Sequence, residues 1–286
     1  MRVGVIGAGA WGTALAITVA RGGADVVLWS YDGKHKDFEG VEFPCDIRIT
    51  SNLTDMHDMD VWLVVVPGAF FRETIRKTRD IYNGQPIIIC TKGAEINTGQ
   101  FMVEILQTEV PECLEYAVLS GPQFAAEVAQ GVPTGSTLAG TNGAIVAGQR
   151  ALNKLFLETS SDVVGAQICG IGKNAVALIC GYNSVKCGEN ERALIFTRAW
   201  NEVITIGIAM GGQMRSFLGL CGIGDLFLSA TSPTSRNFAG GAAIAQGNIP
   251  HGTVEGLCAL EGLISRARDL QIETPVLIEM QKKLRT

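Results

Sequence analysis

Residues 2–12 read Arg2-Val3-Gly4-Val5-Ile6-Gly7-Ala8-Gly9-Ala10-Trp11-Gly12. An apolar run leads straight into a G-x-G-x-x-G pattern. A stretch with helical apolar spacing, Trp11 to Arg21, opens at its end. Alone the glycine pattern is a weak signal; strand, glycine turn and helix in that order are the fingerprint of a dinucleotide-binding unit. The first glycine permits the tight turn. The second lets the backbone approach a pyrophosphate, and the third lets helix and strand pack closely. The unpaired amides at the helix N-terminus favour an anion.

Working outward, Asp25 to Trp29 reads as a second strand, followed by Ser30, Tyr31 and Asp32. An acid at the end of that strand would bind the adenosine ribose. Asp32 therefore argues for NAD, whereas Lys34 and Lys36 could hold the extra phosphate of NADP. From these residues the choice stays open. Asp60 to Val66 is an apolar run ended by Pro67, as expected of a parallel strand covered on both faces. Phe70 to Tyr82 has helical spacing, Pro86 to Thr91 reads as a strand, Thr98 to Glu109 as a helix and Glu115 to Ser120 as a strand. Repeated strand–helix units predict an α/β, Rossmann-like, doubly wound parallel sheet. Beyond residue 165 the pattern changes to long helical periodicities: Ile168 to Val185, Glu191 to Met210, Arg236 to Gln246, Glu255 to Leu270 and Pro275 to Leu284. Residues 1–165 are thus expected to form a dinucleotide-binding domain, and 166–286 an all-α domain.

Composition bounds the rest. The chain has 286 residues, 47% hydrophobic and 18% charged, enough for a sizeable core. A net charge of −5 with no long Lys/Arg run argues against a nucleic-acid partner. An anionic substrate would need a few placed cations, since the overall field repels it. The eight cysteines form no CxxC pair, so no metal centre is expected; they read as free thiols in a reducing cytoplasm. The first strand starts at residue 2, which leaves no room for a signal peptide. No apolar stretch is expected to approach the roughly 18 residues that span a bilayer.

Several later segments match one family together. They are Gly40-Val41 with Pro44, Thr91-Lys92-Gly93, Leu119 to Glu127, Gly172-Lys173-Asn174, Leu220 to Asp225, Thr231 to Asn237 and Val254-Glu255-Gly256. With the glycine turn they make the chain resemble the bacterial-type NAD(P)-dependent glycerol-3-phosphate dehydrogenases. The resemblance implies interconversion of dihydroxyacetone phosphate and sn-glycerol 3-phosphate by hydride transfer, a cytoplasmic homodimer, NAD or NADP as cofactor, and a product that feeds phospholipid synthesis.

The resemblance also assigns residues. Lys173 matches the family's acid/base lysine. A lysine suits that task because it can stabilise an alkoxide and donate the proton. Asp225 matches a substrate-contacting acid able to pair with it, and Lys92 a residue touching substrate and cofactor; these three form the expected catalytic set. Ser235, Arg236 and Asn237 match a phosphate clamp, for which the planar guanidinium of Arg is well shaped. Gly121 and Gln123 match substrate contacts. Gly7, Gly9, Ala10, Trp11, Gly12, Tyr31, Lys92, Ala125, Arg236 and Glu255 are the implied cofactor contacts.

Departures from the family pattern are equally specific. The 32–40 stretch is short, as though a helix between the second and third strands were missing. Tyr31 stands where the family has His or Arg. Gln123 replaces a small hydroxyl residue. Residues 181–188 replace a differently spelled loop, and the chain stops soon after Lys283. Trp29 and Trp62 read as core, and His35, His57 and His251 as solvated residues without chemistry. Two other readings remain: a β-hydroxyacid dehydrogenase, against which the 231–237 segment argues, and a non-catalytic NAD(H)-responsive binding protein.

Overall fold

The computed structural model describes residues 1–95, 98–250 and 254–285. It divides into two compact units. The first comprises Met1–Lys92, Gln100–Leu119 and Gln123–Val163; the second comprises Gly93–Gly99, Ser120–Pro122 and Val164–Thr286.

The first unit is built on a sheet of eight strands: β1 (Arg2–Ile6), β2 (Asp25–Trp29), β3 (Arg48–Thr50), β4 (Val61–Val64), β5 (Ile87–Ile89), β6 (Tyr116–Ser120), β7 (Gly135–Gly140) and β8 (Phe156–Ser160). Their order is β3-β2-β1-β4-β5-β6-β7-β8. β1 pairs in parallel with both β2 and β4, so the chain direction of sheet-building reverses there, the position where doubly wound sheets bind dinucleotides. The seams β2–β3, β4–β5, β5–β6 and β7–β8 are all parallel. At the β6–β7 seam the amide of Thr141 donates to the Tyr116 carbonyl (3.0 Å), placing the end of β7 against the start of β6, so β7 runs antiparallel to β6.

The central strands are apolar on both faces because helices cover both. Val3, Val5, Ile6, Trp62, Leu63 and Ile87 to Ile89 are all fully buried. The covering helices are α1 (Ala10–Arg21), α2 (Gly68–Thr78), α3 (Met102–Glu109), α4 (Ala125–Gln130) and α5 (Asn142–Ala151). α3 starts four residues later than its periodicity predicts, since Gly99 at φ +66° and the residues around it do not continue a helix. β3, α4, β7, α5 and β8 carry weak sequence signals. β3 has three residues, β7 is rich in small residues, and β8 is an edge strand with Phe156 exposed. No helix lies between β2 and β3.

The second unit is helical: α6 (Val163–Lys186), α7 (Glu189–Ala209), α8 (Met214–Leu218), α9 (Asp225–Thr231), α10 (Arg236–Ala245), α11 (Glu255–Asp269) and α12 (Pro275–Leu284). α6 begins five residues before the expected helix, Ile168 to Val185, and ends one residue after it, so residues 181–186 are its last turns. α6 also corrects the expectation about apolar length: its 24 residues are long and apolar enough to cross a membrane, but 72% of the apolar window is buried in the protein, as in a core helix. Glycines let neighbours close in on it. A Cβ at Gly172 would strike the Val203 side chain of α7, and one at Gly181 the Phe238 carbonyl of α10. Glu202 of α7 holds the start of α12, accepting from the amides of Val276 and Leu277 at 2.9 Å each.

Candidate active site

The glycine turn follows β1. Gly7 has φ +116°, a conformation that excludes most L-residues, and its missing side chain lets the Val65 and Val66 backbone lie against it. A Cβ at Gly12 would run into the Gly7 carbonyl oxygen, so α1 can approach the turn only because this residue is glycine. At Gly9 a Cβ would meet nothing within 4 Å; the backbone there is exposed and open to a ligand. Gly9 is also the N-cap of α1 and supplies no side-chain cap, leaving the first-turn amides for an anion. Ala10 is exposed and Trp11 half-buried. Closed turn, open approach and bare helix start together fit a pyrophosphate.

Other predicted residues of this unit sit beyond strand ends. Lys92 is half-buried just past β5, where the Thr91 hydroxyl donates to the Val66 carbonyl at 2.7 Å and fixes the chain. Burial pushes the neighbouring Cys90 thiol well up, so it stays protonated, and the Lys92 charge only partly opposes this. Tyr31 is 86% exposed beyond β2. Gln123 accepts from the Ser136 hydroxyl at 2.7 Å through Oε1, while its buried Nε2 has no hydrogen-bond partner among the described residues. Ala125 opens α4.

In the second unit Lys173 projects from α6. Its Nζ lies 3.1 Å from Asp225 Oδ1 and donates to Ser229 Oγ at 3.0 Å; Ser229 Oγ lies 3.4 Å from the same carboxylate oxygen. The Lys173 side chain is 15% exposed and that of Asp225 1%, so the ammonium faces outward from a buried anion. Asp225 is the first residue of α9, following a π-helical segment, Leu220–Gly224, in which Gly222 breaks helical geometry at φ −93°, ψ −106°. Ser229, one helical turn beyond Asp225, escaped sequence reasoning; its i+4 spacing from Asp225 was the available signal.

A second network adjoins Lys173 along the chain. Asn174 Nδ2 donates to Glu255 Oε2 (3.3 Å), and Asn237 Nδ2 donates to Asn174 Oδ1 (2.8 Å). The Gly256 amide donates to Asn237 Oδ1 (2.9 Å), and Arg236 pairs with Glu255 at 3.5 Å. Ser235 caps α10, its hydroxyl accepting from the Phe238 amide at 3.4 Å. Of the expected phosphate clamp, Arg236 is largely exposed and available to an anion. Ser235 and Asn237 are buried, and both side chains bond within the protein. Gly121 lies just past β6 and is buried.

Among residues given no chemistry, Trp62 is core, whereas Trp29 is only half-buried and donates to the Ser51 carbonyl. His35 is not simply solvated: its ring stacks on Phe43 at 3.8 Å. His57 lies 3.3 Å from Asp58, and His251 falls outside the described residues. No cluster suited to a metal ion is found among the described residues, and the cysteines are free thiols.

A glycine turn at the switch point of a doubly wound sheet, followed by a helical unit with a lysine–carboxylate pair, defines the architecture of a nicotinamide-dependent dehydrogenase. Comparison with known proteins is more specific. The family model for the N-terminus of NAD-dependent glycerol-3-phosphate dehydrogenase matches residues 2–146, and that for its C-terminus residues 162–285. The chain belongs to this family. It is 34% identical over 300 residues to the glycerol-3-phosphate dehydrogenase (NAD(P)+) of Parvibaculum lavamentivorans, covering 96% of this chain and 89% of that one. It is 40% identical over 256 residues to the enzyme of the same name from Paramagnetospirillum magneticum, covering 83% and 92%. The crystal structure of glycerol-3-phosphate dehydrogenase from Coxiella burnetii superposes with a TM-score of 0.91 at 29% identity, covering 99% of this chain and 94% of that one.

Proposed function

We propose that the protein interconverts dihydroxyacetone phosphate and sn-glycerol 3-phosphate with NAD(H) or NADP(H), using Lys173 as the acid/base. The observation that carries this reading is the Lys173 ammonium held at 3.1 Å by buried Asp225 and at 3.0 Å by Ser229. These two partners leave the ammonium little rotational freedom, so it is held in place. On reduction the ketone oxygen gains negative charge; Lys173 stabilises it and delivers the proton. On oxidation Lys173 takes the proton back. Asp225 pairs with the ammonium at 3.1 Å and holds it in position. When bound, a nicotinamide would supply or accept the hydride.

The glycine turn and the start of α1 would hold the cofactor's pyrophosphate, with Trp11 and Tyr31 flanking. Arg236 receives the substrate phosphate, and Asn174, Asn237 and Glu255 hold Arg236 and the chain around it in place. Lys92, Gly121 and Gln123 contact the substrate. In this reading residues 1–165 serve the cofactor and 166–286 the substrate, and the protein works as a cytoplasmic homodimer.

The test is Lys173→Ala. Turnover should fall by about 10³-fold or more while NADH binding by titration stays within about twofold. Turnover near that of the unmodified protein would remove Lys173 from the chemistry.

A further inference from the structure

We infer that the turn following β2 selects NAD(H) over NADP(H), with Asp32 as the selecting residue. The inference rests on the dehydrogenase reading and adds a preference that reading leaves open.

The turn is placed beside the glycine turn by the sheet itself. The Gly7 amide donates to the Trp29 carbonyl at 3.0 Å, joining the end of β1 to the end of β2. Ser30, 3% exposed, then donates its amide to the Thr50 carbonyl of β3 at 2.8 Å. Its hydroxyl lies 2.8 Å from Asp32 Oδ1, and the Lys34 amide reaches both Ser30 Oγ (3.0 Å) and Asp32 Oδ1 (3.2 Å). Gly33 at φ +72° reverses the chain between them. Two residues further on, the Lys36 amide donates to Thr13 Oγ1, which donates to the Ala8 carbonyl within the glycine turn, both at 3.1 Å. The segment is thus fastened to β3 at one end and to the glycine turn at the other.

Among the described residues the bonds to the Asp32 side chain use Oδ1, which leaves Oδ2 to accept from a ribose hydroxyl. The Ser30 hydroxyl and the Lys34 amide hold this exposed carboxyl below its usual range, so it is an anion at any working pH. An anion accepts hydrogen bonds from a 2′-hydroxyl and repels a 2′-phosphate. The facing cations do not reverse this. The attraction of the Lys34 ammonium is the smallest contribution to the Asp32 shift, and Lys34 and Lys36 are exposed. The residue before Asp32 is the uncharged Tyr31, which offers a phosphate no charge.

Binding, rather than turnover, tests this. Calorimetric titration should give a Kd for NADH at least about tenfold tighter than for NADPH. The fragments 5′-AMP and adenosine 2′,5′-bisphosphate should keep the same order. Asp32→Asn should bring the two Kd values to within about threefold, with Ser30→Ala between this variant and the unmodified protein. Lys34→Ala and Lys36→Ala should leave the ratio unchanged, and circular dichroism verifies that each variant folds. NADPH binding as tightly as NADH, or an unchanged ratio in folded Asp32→Asn, overturns the selection while leaving the dehydrogenase reading intact. Failure of both dinucleotides to bind overturns the reading and the inference together.

Discussion

Replacing Lys173 by Met removes the ammonium but keeps the bulk of the side chain. Asp225, 1% exposed, then loses its cationic partner. Breaking a buried ion pair from one side costs roughly 3–5 kcal/mol. Two features of the structure reduce that figure: Lys173 is 15% exposed, and Ser229 Oγ remains 3.4 Å from the carboxylate. About 1–3 kcal/mol is therefore expected, or a melting temperature lower by about 3–9 °C at roughly 3 °C per kcal/mol. Asp225→Asn should cost a similar amount. The double variant leaves no buried charge in the pair, so its loss should be smaller than the sum of the singles by about 1 kcal/mol or more. Denaturant titration of all four proteins supplies the cycle. Additive losses would mean that the 3.1 Å pair contributes nothing to folding, and that Asp225 does not hold Lys173.

Gly12→Ala places a Cβ against the Gly7 carbonyl, so the turn must shift; NADH affinity should fall about tenfold or more, with about 1–3 kcal/mol of stability lost, read by titration and denaturation. Arg236→Ala removes an exposed pair with Glu255, so stability should change by under about 0.5 kcal/mol, while KM for the phosphorylated substrate rises about tenfold or more. Arg76 and Arg72 hold the Glu109 carboxyl down to about 2, so its contribution is fully present above the ordinary carboxylate range and is lost as pH falls from about 4.5 towards 2. Arg76 is exposed and screened, so about 1–2 kcal/mol is expected, and Glu109→Gln should flatten the stability curve over that window.

The parts of the fold legible in the sequence are those whose period or composition is imposed by burial on both sides. β1, β4 and β5 are apolar because helices cover both faces, and the long helices of the second unit keep their stripes because they pack on one another. β7 and β8 were hidden for the opposite reason: one is made of small residues and the other lies at an edge, so neither shows a buried run. In the site, Lys173 and Asp225 were legible through resemblance, and their contact is visible only in the fold. Ser229 was not singled out, because a serine in an apolar helix usually bonds to its own backbone. Asn237 and Ser235 look alike in sequence to Arg236, but only Arg236 is left exposed. For Asn237 the cause is Gly256, whose missing side chain lets α11 come within reach of Asn237 and Asn174, while Ser235 is taken up in capping α10.

The central claim is hydride transfer to a phosphorylated ketone at a site dependent on Lys173. The most direct measurement follows the absorbance of NADH and of NADPH when dihydroxyacetone phosphate is added, with unphosphorylated dihydroxyacetone as the control. Rapid oxidation of at least one cofactor with the phosphate ester, and a rate at least about a hundredfold lower with dihydroxyacetone, is the expected result. No oxidation of either cofactor, or equal rates with the two ketones, would contradict it.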